Sequence, residues 1–324
     1  MEYKNVLITG GCGFIGSNFV NYMVEKYPKT HFINLDKLDY CATTKNNEPI
    51  QNLKNYKFVK GDILDEYLVL RLLNEHNIDA VIHFAAQSHV DNSFGNSIAF
   101  TQNNVLGTHK LLESSRIYGH LKRFIHISTD EVYGEVHEGE SHEHSTLDPT
   151  NPYAASKAAA EFMVKSYHYS FKLPIIITRG NNVYGPRQYP EKVIPKFLKL
   201  LESDQKCTIH GNGKNVRNFI HVLDTAKAVE TILLKGEIGE IYNIGGRTEL
   251  SVLEVATLLV HRLKPSDPVD KWLIYVEDRH FNDVRYSVST DKLKSLGWSQ
   301  TIDFQEGFEE TVQWYLERPD HFEN

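Results

Sequence analysis

The first forty residues constrain the architecture more than any other stretch of the chain. Val6-Leu7-Ile8 is an apolar, strand-like run, Gly10-x-x-Gly13-x-x-Gly16 follows it at once, and residues 14–26 carry a helical pattern. Residues 32–35 (Phe-Ile-Asn-Leu) form a second strand that ends at Asp36. Gly-rich turns between a buried strand and a helix let backbone N–H groups approach a diphosphate at the positive helix end. A carboxylate about twenty residues further on is placed to accept from a ribose 2′-OH and would repel a 2′-phosphate. The pattern therefore predicts a dinucleotide site built from Gly10, Gly13, Phe14, Ile15, Gly16 and Asp36. NAD is expected over NADP, a preference that the neighbouring Lys37 weakens.

The alternation continues. Residues 56–59, 80–84, 123–128 and 174–178 read as further strands separated by helical patterns, which implies parallel strands with right-handed crossovers. The expected fold class is α/β, with a Rossmann-type doubly wound parallel sheet over residues 1–185 and returning segments near 218–245. After Tyr184-Gly185-Pro186-Arg187 the pattern loosens, and residues 186–324 read as a smaller, discontinuous α+β substrate-binding domain. Within it, 224–234 reads as a helix and 240–244 as a strand, both returning to the first domain. Residues 301–318 read as a last amphipathic helix with Phe304, Phe308, Val312 and Tyr315 on one stripe. Residues 135–148 are a polar loop, and Asp62-Ile63 and Phe84-Ala85-Ala86 sit at strand ends where they would border the adenine and ribose.

Composition narrows the setting. A chain of 324 residues with 41% hydrophobic and 24% charged residues is long enough and apolar enough for a packed globular core. Its net charge of −7 argues against a nucleic-acid partner. No apolar run reaches membrane-spanning length, and MEYKNVLITGG enters a strand without a signal-peptide pattern, so no membrane association is expected. Cys12, Cys41 and Cys207 are too few and too scattered for a disulfide framework, and a cytoplasmic setting is expected. His142-Glu143-His144 lacks a third ligand at metal spacing and reads as a solvated loop, so no metal is expected. His83 reads as a satisfied core histidine.

The reactive residues come next. Tyr153-x-x-x-Lys157 puts a phenol and an ammonium on one helix face, just after the helix-start pair Asn151-Pro152. A nearby ammonium is expected to lower a tyrosine pKa from about 10. Such a base can take a hydroxyl proton while a nicotinamide takes the hydride, and a dehydrogenase needs no more. Thr129-Asp130-Glu131 adds an acid and a base, which points to a second step, loss of water. Each feature has a plainer reading: adjacent acids usually end up solvated, Y-x-x-x-K recurs in many helices, and single cations usually face water. The plain reading is weakest where the features occur together.

The segments TGGCGFIGSN, LDKLDYC, HFAAQSHVDNSF, STDEVYG, NPYAASKA, NNVYGPRQYPEKVIPKF, VRNFIHV, YNIGG and NDVRY span nearly the whole chain. Together they resemble the extended short-chain dehydrogenase/reductase family, and within it the nucleotide-sugar 4,6-dehydratases acting on dTDP-glucose or UDP-glucose. Cys12, in place of a small residue in the phosphate turn, and Asn218, where many members carry Asp, depart from the pattern.

The resemblance implies a lyase with a catalytic NAD+, in deoxysugar (rhamnose-type) synthesis. Tyr153, assisted by Lys157 and Thr129, would take the 4-OH proton as C4 is oxidised. Glu131 would remove the C5 proton, Asp130 would protonate the departing C6 hydroxyl, and hydride would return to C6. For the sugar nucleotide it implies Asn182, Lys192, Arg217 and Arg279, with Asn243 beside them, while Gln87, Ser88 and His89 would reach toward the hexose. Apolar surface on helices 105–118 and 153–169 is expected to pair across a two-fold axis in a homodimer. The alternatives on the same scaffold are a UDP-sugar 4-epimerase and a UDP-glucuronate decarboxylase. A non-catalytic NAD-sensing protein is the alternative of another class.

Overall fold

The computed structural model describes residues 2–278 and 283–323. Its strands are β1 (Asn5–Thr9), β2 (His31–Asp36), β3 (Tyr56–Lys60), β4 (Ala80–His83), β5 (Arg123–Thr129), β6 (Ile175–Gly180), β7 (Asn182–Tyr184), β8 (Cys207–His210), β9 (Val216–His221), β10 (Ile241–Ile244), β11 (Thr248–Ser251) and β12 (Leu273–Val276). Seven of them form one parallel sheet in the order β10-β6-β5-β4-β1-β2-β3. The order reverses about β1, which pairs with β2 through Val6 and Phe32 and with β4 through Val6 and Ala80. In a doubly wound sheet that reversal opens a crevice at the carboxyl ends of the strands. The chain there reads Gly10, Asp36, Phe84, Thr129 and Gly180, so the topology brings the residues singled out from sequence to one edge.

The strands are apolar on both faces because helices cover both faces. Helices Phe14–Lys26 and Val222–Lys235 pack on one side, through Phe19, Val20, Met23, Val229 and Ile232. Helices Glu66–Glu75, Gly107–Tyr118 and Pro152–Phe171 cover the other, through Leu72, Leu111, Leu112 and Val164. Val6, Leu7 and Ile8 are completely buried between these layers.

A third core joins helices Val193–Glu202, Val252–Leu263 and Phe304–Leu316 to two small sheets, β11-β9-β7 and β12-β8. The stripe Phe304, Phe308, Val312 and Tyr315 is buried there, as its spacing predicts. That helix is shorter than residues 301–318 because the Asp303 side chain caps it at Gln305 N, 2.9 Å away. The chain leaves the large sheet earlier than the change of pattern at Pro186 indicates. Only Asn181 separates β6 from β7, and β7 already pairs with β9 in a small sheet. Helix Val252–Leu263 has a capping box, with Ser251 and Glu254 bonded reciprocally, a signal present in the sequence as S-V-L-E.

Residues 101–106 are π-helical ahead of helix Gly107–Tyr118, and this wider turn carries Asn103 and Asn104. Among the described residues no helix is long and apolar enough to cross a membrane.

Candidate active site

The Gly-rich turn is dictated by packing as well as by approach. Gly10 has φ +76°, and a Cβ there would lie 2.6 Å from Ala85 N. At Gly16 a Cβ would lie 2.3 Å from the Gly10 carbonyl oxygen, so helix Phe14–Lys26 could not sit this close to β1. A Cβ at Gly13 would meet only the Gly10 oxygen, at 3.5 Å, which leaves the helix N-terminus approachable. Gly10, Gly13, Phe14, Ile15, Gly16, Asp36, Lys37, Asp62, Ile63, Ala85 and Ala86 all line one cleft.

Asp36 is held in place at the end of β2, where Oδ2 accepts from Cys12 N at 2.9 Å and Oδ1 from Leu38 N at 2.8 Å. Each oxygen keeps a lone pair for a ribose hydroxyl. Burial raises the Asp36 pKa, and the two N–H donors oppose the rise. Lys37 offers little to a 2′-phosphate: its Nζ donates to Asn103 Oδ1 at 2.9 Å and lies 3.4 Å from Asp39 and 3.8 Å from Asp62. The donor set fits NAD better than NADP.

The Cys12 departure is absorbed locally. Its thiol is buried beside Asn34 and Asn47 amide groups and its pKa is pushed up to about 12, chiefly by burial.

The reacting end is built on β5. Thr129 closes the strand, and its hydroxyl accepts from Glu131 N at 3.3 Å as residues 130–133 turn. Asn151 Oδ1 accepts from Ala154 N at 2.9 Å and Pro152 occupies the first turn, which starts helix Pro152–Phe171. Lys157 Nζ donates to the Ile127 carbonyl at 2.7 Å, pinning the helix to β5. Thr129, Asp130, Glu131, Tyr153 and Lys157 then line the same cleft as the Gly-rich turn.

Burial governs the electrostatics. Asp130 is raised to about 7, first by burial and then by Glu131; donors on Asn181 and Thr129 oppose the rise. Glu131 is also raised by burial, opposed by Asn151, Arg217 and Lys192. Lys157 is lowered to about 8 by burial, with Glu161 acting the other way. One expectation needs correcting. The Tyr153 pKa is raised rather than lowered, by burial and then by Glu131, with a Thr129 hydrogen bond opposing. The cost of burying a phenolate outweighs the shared helix face with Lys157, whose ammonium is turned to the Ile127 carbonyl.

Of the residues assigned to the sugar nucleotide, Gln87, Ser88, Asn182 and Lys192 line the cleft. Lys192 Nζ donates to the Ser88 carbonyl at 2.9 Å, and Gln87 Nε2 donates to Asp39 Oδ2 at 2.5 Å. His89 and Arg217 are not among the cleft-lining residues. His89 has its pKa lowered by burial and by Lys192. Arg217 donates to the Asp283 carbonyl at 2.9 Å and lies 4.9 Å above the Tyr286 ring, and its charge reaches Asp130 and Glu131. Asn243 is a correction. It is completely buried outside the cleft, with its amide taken up by Tyr133 (2.9 Å) and the Ser141 carbonyl (3.3 Å). Arg279 lies outside the described residues.

Asn218 is buried in β9 and likewise lies outside the cleft lining. His83 is a core residue, bonded to Thr9 at 2.7 Å and Thr108 at 2.9 Å. The described residues contain no metal-binding cluster of His, Cys, Asp or Glu.

Several contacts at the site carried no local sequence signal. Asn181 Nδ2 donates to Asp130 Oδ2 at 2.5 Å, and Asn151 Nδ2 to Glu131 Oε2 at 3.1 Å. Asn104 Nδ2 ties the Gln87 carbonyl (3.0 Å) to Ser156 Oγ (2.9 Å). Tyr286 donates to Asp283, and the phenol is raised by burial and by Glu131.

A family model described as GDP-mannose 4,6 dehydratase matches residues 7–311. This chain belongs to that family. A dTDP-D-glucose 4,6-dehydratase of Mus musculus is 49% identical over 324 residues, covering 99% of this chain and 91% of that protein. A trifunctional UDP-glucose 4,6-dehydratase/UDP-4-keto-6-deoxy-D-glucose 3,5-epimerase/UDP-4-keto-L-rhamnose-reductase of Arabidopsis thaliana is 51% identical over 320 residues. The chain covers 48% of that longer protein and is itself covered to 98%. The solved dTDP-glucose 4,6-dehydratase of Streptomyces venezuelae, with NAD bound, matches at TM-score 0.93 and 40% identity, over 97% of this chain and 98% of that one. The dehydratase family and the parallel-sheet fold thus agree with the resemblance read from the motifs.

Proposed function

We propose that the protein is an NAD-dependent nucleotide-diphosphate-glucose 4,6-dehydratase, converting dTDP-glucose or UDP-glucose to the 4-keto-6-deoxy sugar. The observation that carries this reading is the adjacent pair Asp130 and Glu131. Both line the cleft that Tyr153 and Lys157 also line, Asp130 buried and Glu131 half-buried, and each is held by a different amide.

Bound NAD supplies a hydride acceptor for C4 and, later, a donor for C6. Tyr153 receives the 4-OH proton as phenolate, reached by prior loss of its own proton to solvent, with Thr129 hydrogen-bonded to its oxygen and Lys157 one helical turn away. The 4-ketone acidifies the neighbouring C5–H, and Glu131 as carboxylate removes that proton. Asp130, whose pKa of about 7 keeps a large share of it protonated near neutrality, delivers its proton to the C6 hydroxyl, which leaves as water. A proton returns to C5, and the product is the 4-keto-6-deoxy sugar. Asn182 and Lys192 are proposed to meet the diphosphate, with Arg217 in support.

A 4-epimerase would have no use for an acid–base pair at C5 and C6. A decarboxylase would need a cation devoted to a C6 carboxylate, and an NAD-sensing protein would not need five reactive side chains in one cleft.

The product fits deoxysugar synthesis of the rhamnose type. We further propose a homodimer through helices Gly107–Tyr118 and Pro152–Phe171, where Ile117, Phe162, Tyr169 and Phe171 are exposed. A cytoplasmic setting is supported by three free cysteines. The test is incubation of the purified protein with each of the two sugar nucleotides, following the alkali-sensitive 4-keto product. If neither substrate yields a 4-keto-6-deoxy sugar, the reading is wrong.

A further inference from the structure

Asp130 and Glu131 are neighbours in sequence and both acids, Asp130 buried and Glu131 half-buried, yet the reaction asks opposite things of them. Their surroundings differ in one respect that geometry makes explicit. Glu131 Oε2 accepts from Asn151 Nδ2 at 3.1 Å, whereas Asp130 Oδ2 accepts from Asn181 Nδ2 at 2.5 Å and Asp130 Oδ1 from Thr129 at 3.2 Å. No amide is shared between them. Asn151 is buried and does not itself line the cleft. Its other amide atom, Oδ1, caps the helix that carries Tyr153 and Lys157.

We propose that Asn151 is a positioning residue that locks the elimination base to the oxidation pair. One end of its side chain fixes the start of the helix bearing Tyr153, and the other fixes the Glu131 carboxylate. Because a single planar amide makes both bonds, the base that attacks C5 and the phenol that serves C4 are held in register on one sugar ring. This inference rests on the dehydratase reading and assigns within it a residue that does not touch substrate.

An amide donor on a carboxylate favours its ionised form. The charged and titratable groups around Glu131 are Asp130, Tyr153, Lys192, Arg217, Asp283 and Tyr286. Asn151 adds a neutral donor to these, so its removal shifts Glu131 toward the protonated state without removing any charged side chain.

The test separates the two bonds. Asn151→Ser retains a capping oxygen for the helix, since Ser caps about as well as Asn, but is too short to reach Glu131. Asn151→Ala loses both. In Asn151→Ser we expect oxidation at C4, read as NADH absorbance in a single turnover, to run at the wild-type rate. Exchange of the C5 proton with deuterated solvent and product formation should fall about tenfold or more, the loss expected when a hydrogen bond to a charged group is removed. The acid limb of the pH–rate profile should move to higher pH, because Glu131 then protonates more readily. Asn151→Ala should also slow oxidation and lower thermal stability.

Wild-type exchange and an unmoved acid limb in Asn151→Ser would overturn the proposal. So would equal slowing of oxidation and elimination in that variant, because loss of the Glu131 bond alone should spare oxidation. A wild-type protein that oxidises the sugar but never loses water overturns the dehydratase reading, and this inference with it.

Discussion

The sharpest consequence of the site concerns the proton on Asp130. Burial, reinforced by the Glu131 carboxylate, raises its carboxyl to about 7. The acid form is therefore present below that pH and is lost as pH rises through it. At pH 6 roughly nine tenths of the molecules hold the proton, at pH 7 about half, and at pH 9 on the order of one in a hundred. If this proton makes the C6 hydroxyl leave, elimination should fall about fiftyfold between pH 7 and 9. In the proposed mechanism oxidation at C4 depends on a different group, Lys157, whose pKa burial lowers to about 8. The oxidation half-reaction should therefore hold up about one pH unit further than elimination. The assay is a single-turnover pH series that records NADH formation and 4-keto product separately, for wild type and Asp130→Asn. The substitution keeps the shape but removes the proton, so elimination should drop by roughly 10² to 10⁴, the usual contribution of general acid catalysis. The remaining rate should no longer fall near pH 7. A limb near pH 7 that survives in Asp130→Asn would refute the assignment, because some other group would then be titrating.

Other outcomes follow from the surroundings. Glu161, on the helix that carries Tyr153, forms a buried bidentate pair with Arg179 of β6, with Nη2 2.6 Å from the carboxylate. Glu161→Ala should cost about 3–5 kcal/mol by leaving the guanidinium unpaired, and an added Arg179→Met should recover much of that loss in a thermal melt. Gly16→Ala drives a Cβ against the Gly10 carbonyl and should cost ~1–3 kcal/mol together with NAD binding. Gly13→Ala meets nothing closer than 3.5 Å and should weaken NAD binding in a calorimetric titration while leaving the melting temperature nearly unchanged. Asp36→Asn should weaken NAD binding about tenfold, through the loss of a charge-assisted acceptor, and narrow the gap to NADP.

What the sequence made legible was local in character. The glycine spacing, Asp36 and the strand–helix alternation depend on short-range periodicity, and the sheet order carries each of them to the carboxyl edge. Thr129, Asp130, Glu131, Tyr153 and Lys157 were legible because strand β5 and one helical turn fix their directions. What was not legible depends on partners far apart in the chain. Asn181 lies 51 residues from Asp130, and Tyr133 lies 110 residues from the Asn243 it engages. The resemblance puts Asn243 beside the sugar-nucleotide residues, but its burial within β10, against Tyr133 and the 135–148 loop, gives it a structural task. The Tyr153 pKa departs from the sequence expectation for a related reason. The Tyr–Lys spacing reports a shared helix face, whereas the shift depends on how much protein covers the phenol.

The central claim is that hydrogen borrowed from C4 is returned to C6 within one active site. The most direct measurement uses nucleotide-diphosphate glucose deuterated at C4, with the product examined by NMR and mass spectrometry. The account predicts deuterium on the new C6 methyl group, one solvent-derived hydrogen at C5, and no net consumption of NAD. Deuterium remaining at C4 of an epimerised sugar, or lost from the product altogether, would contradict it.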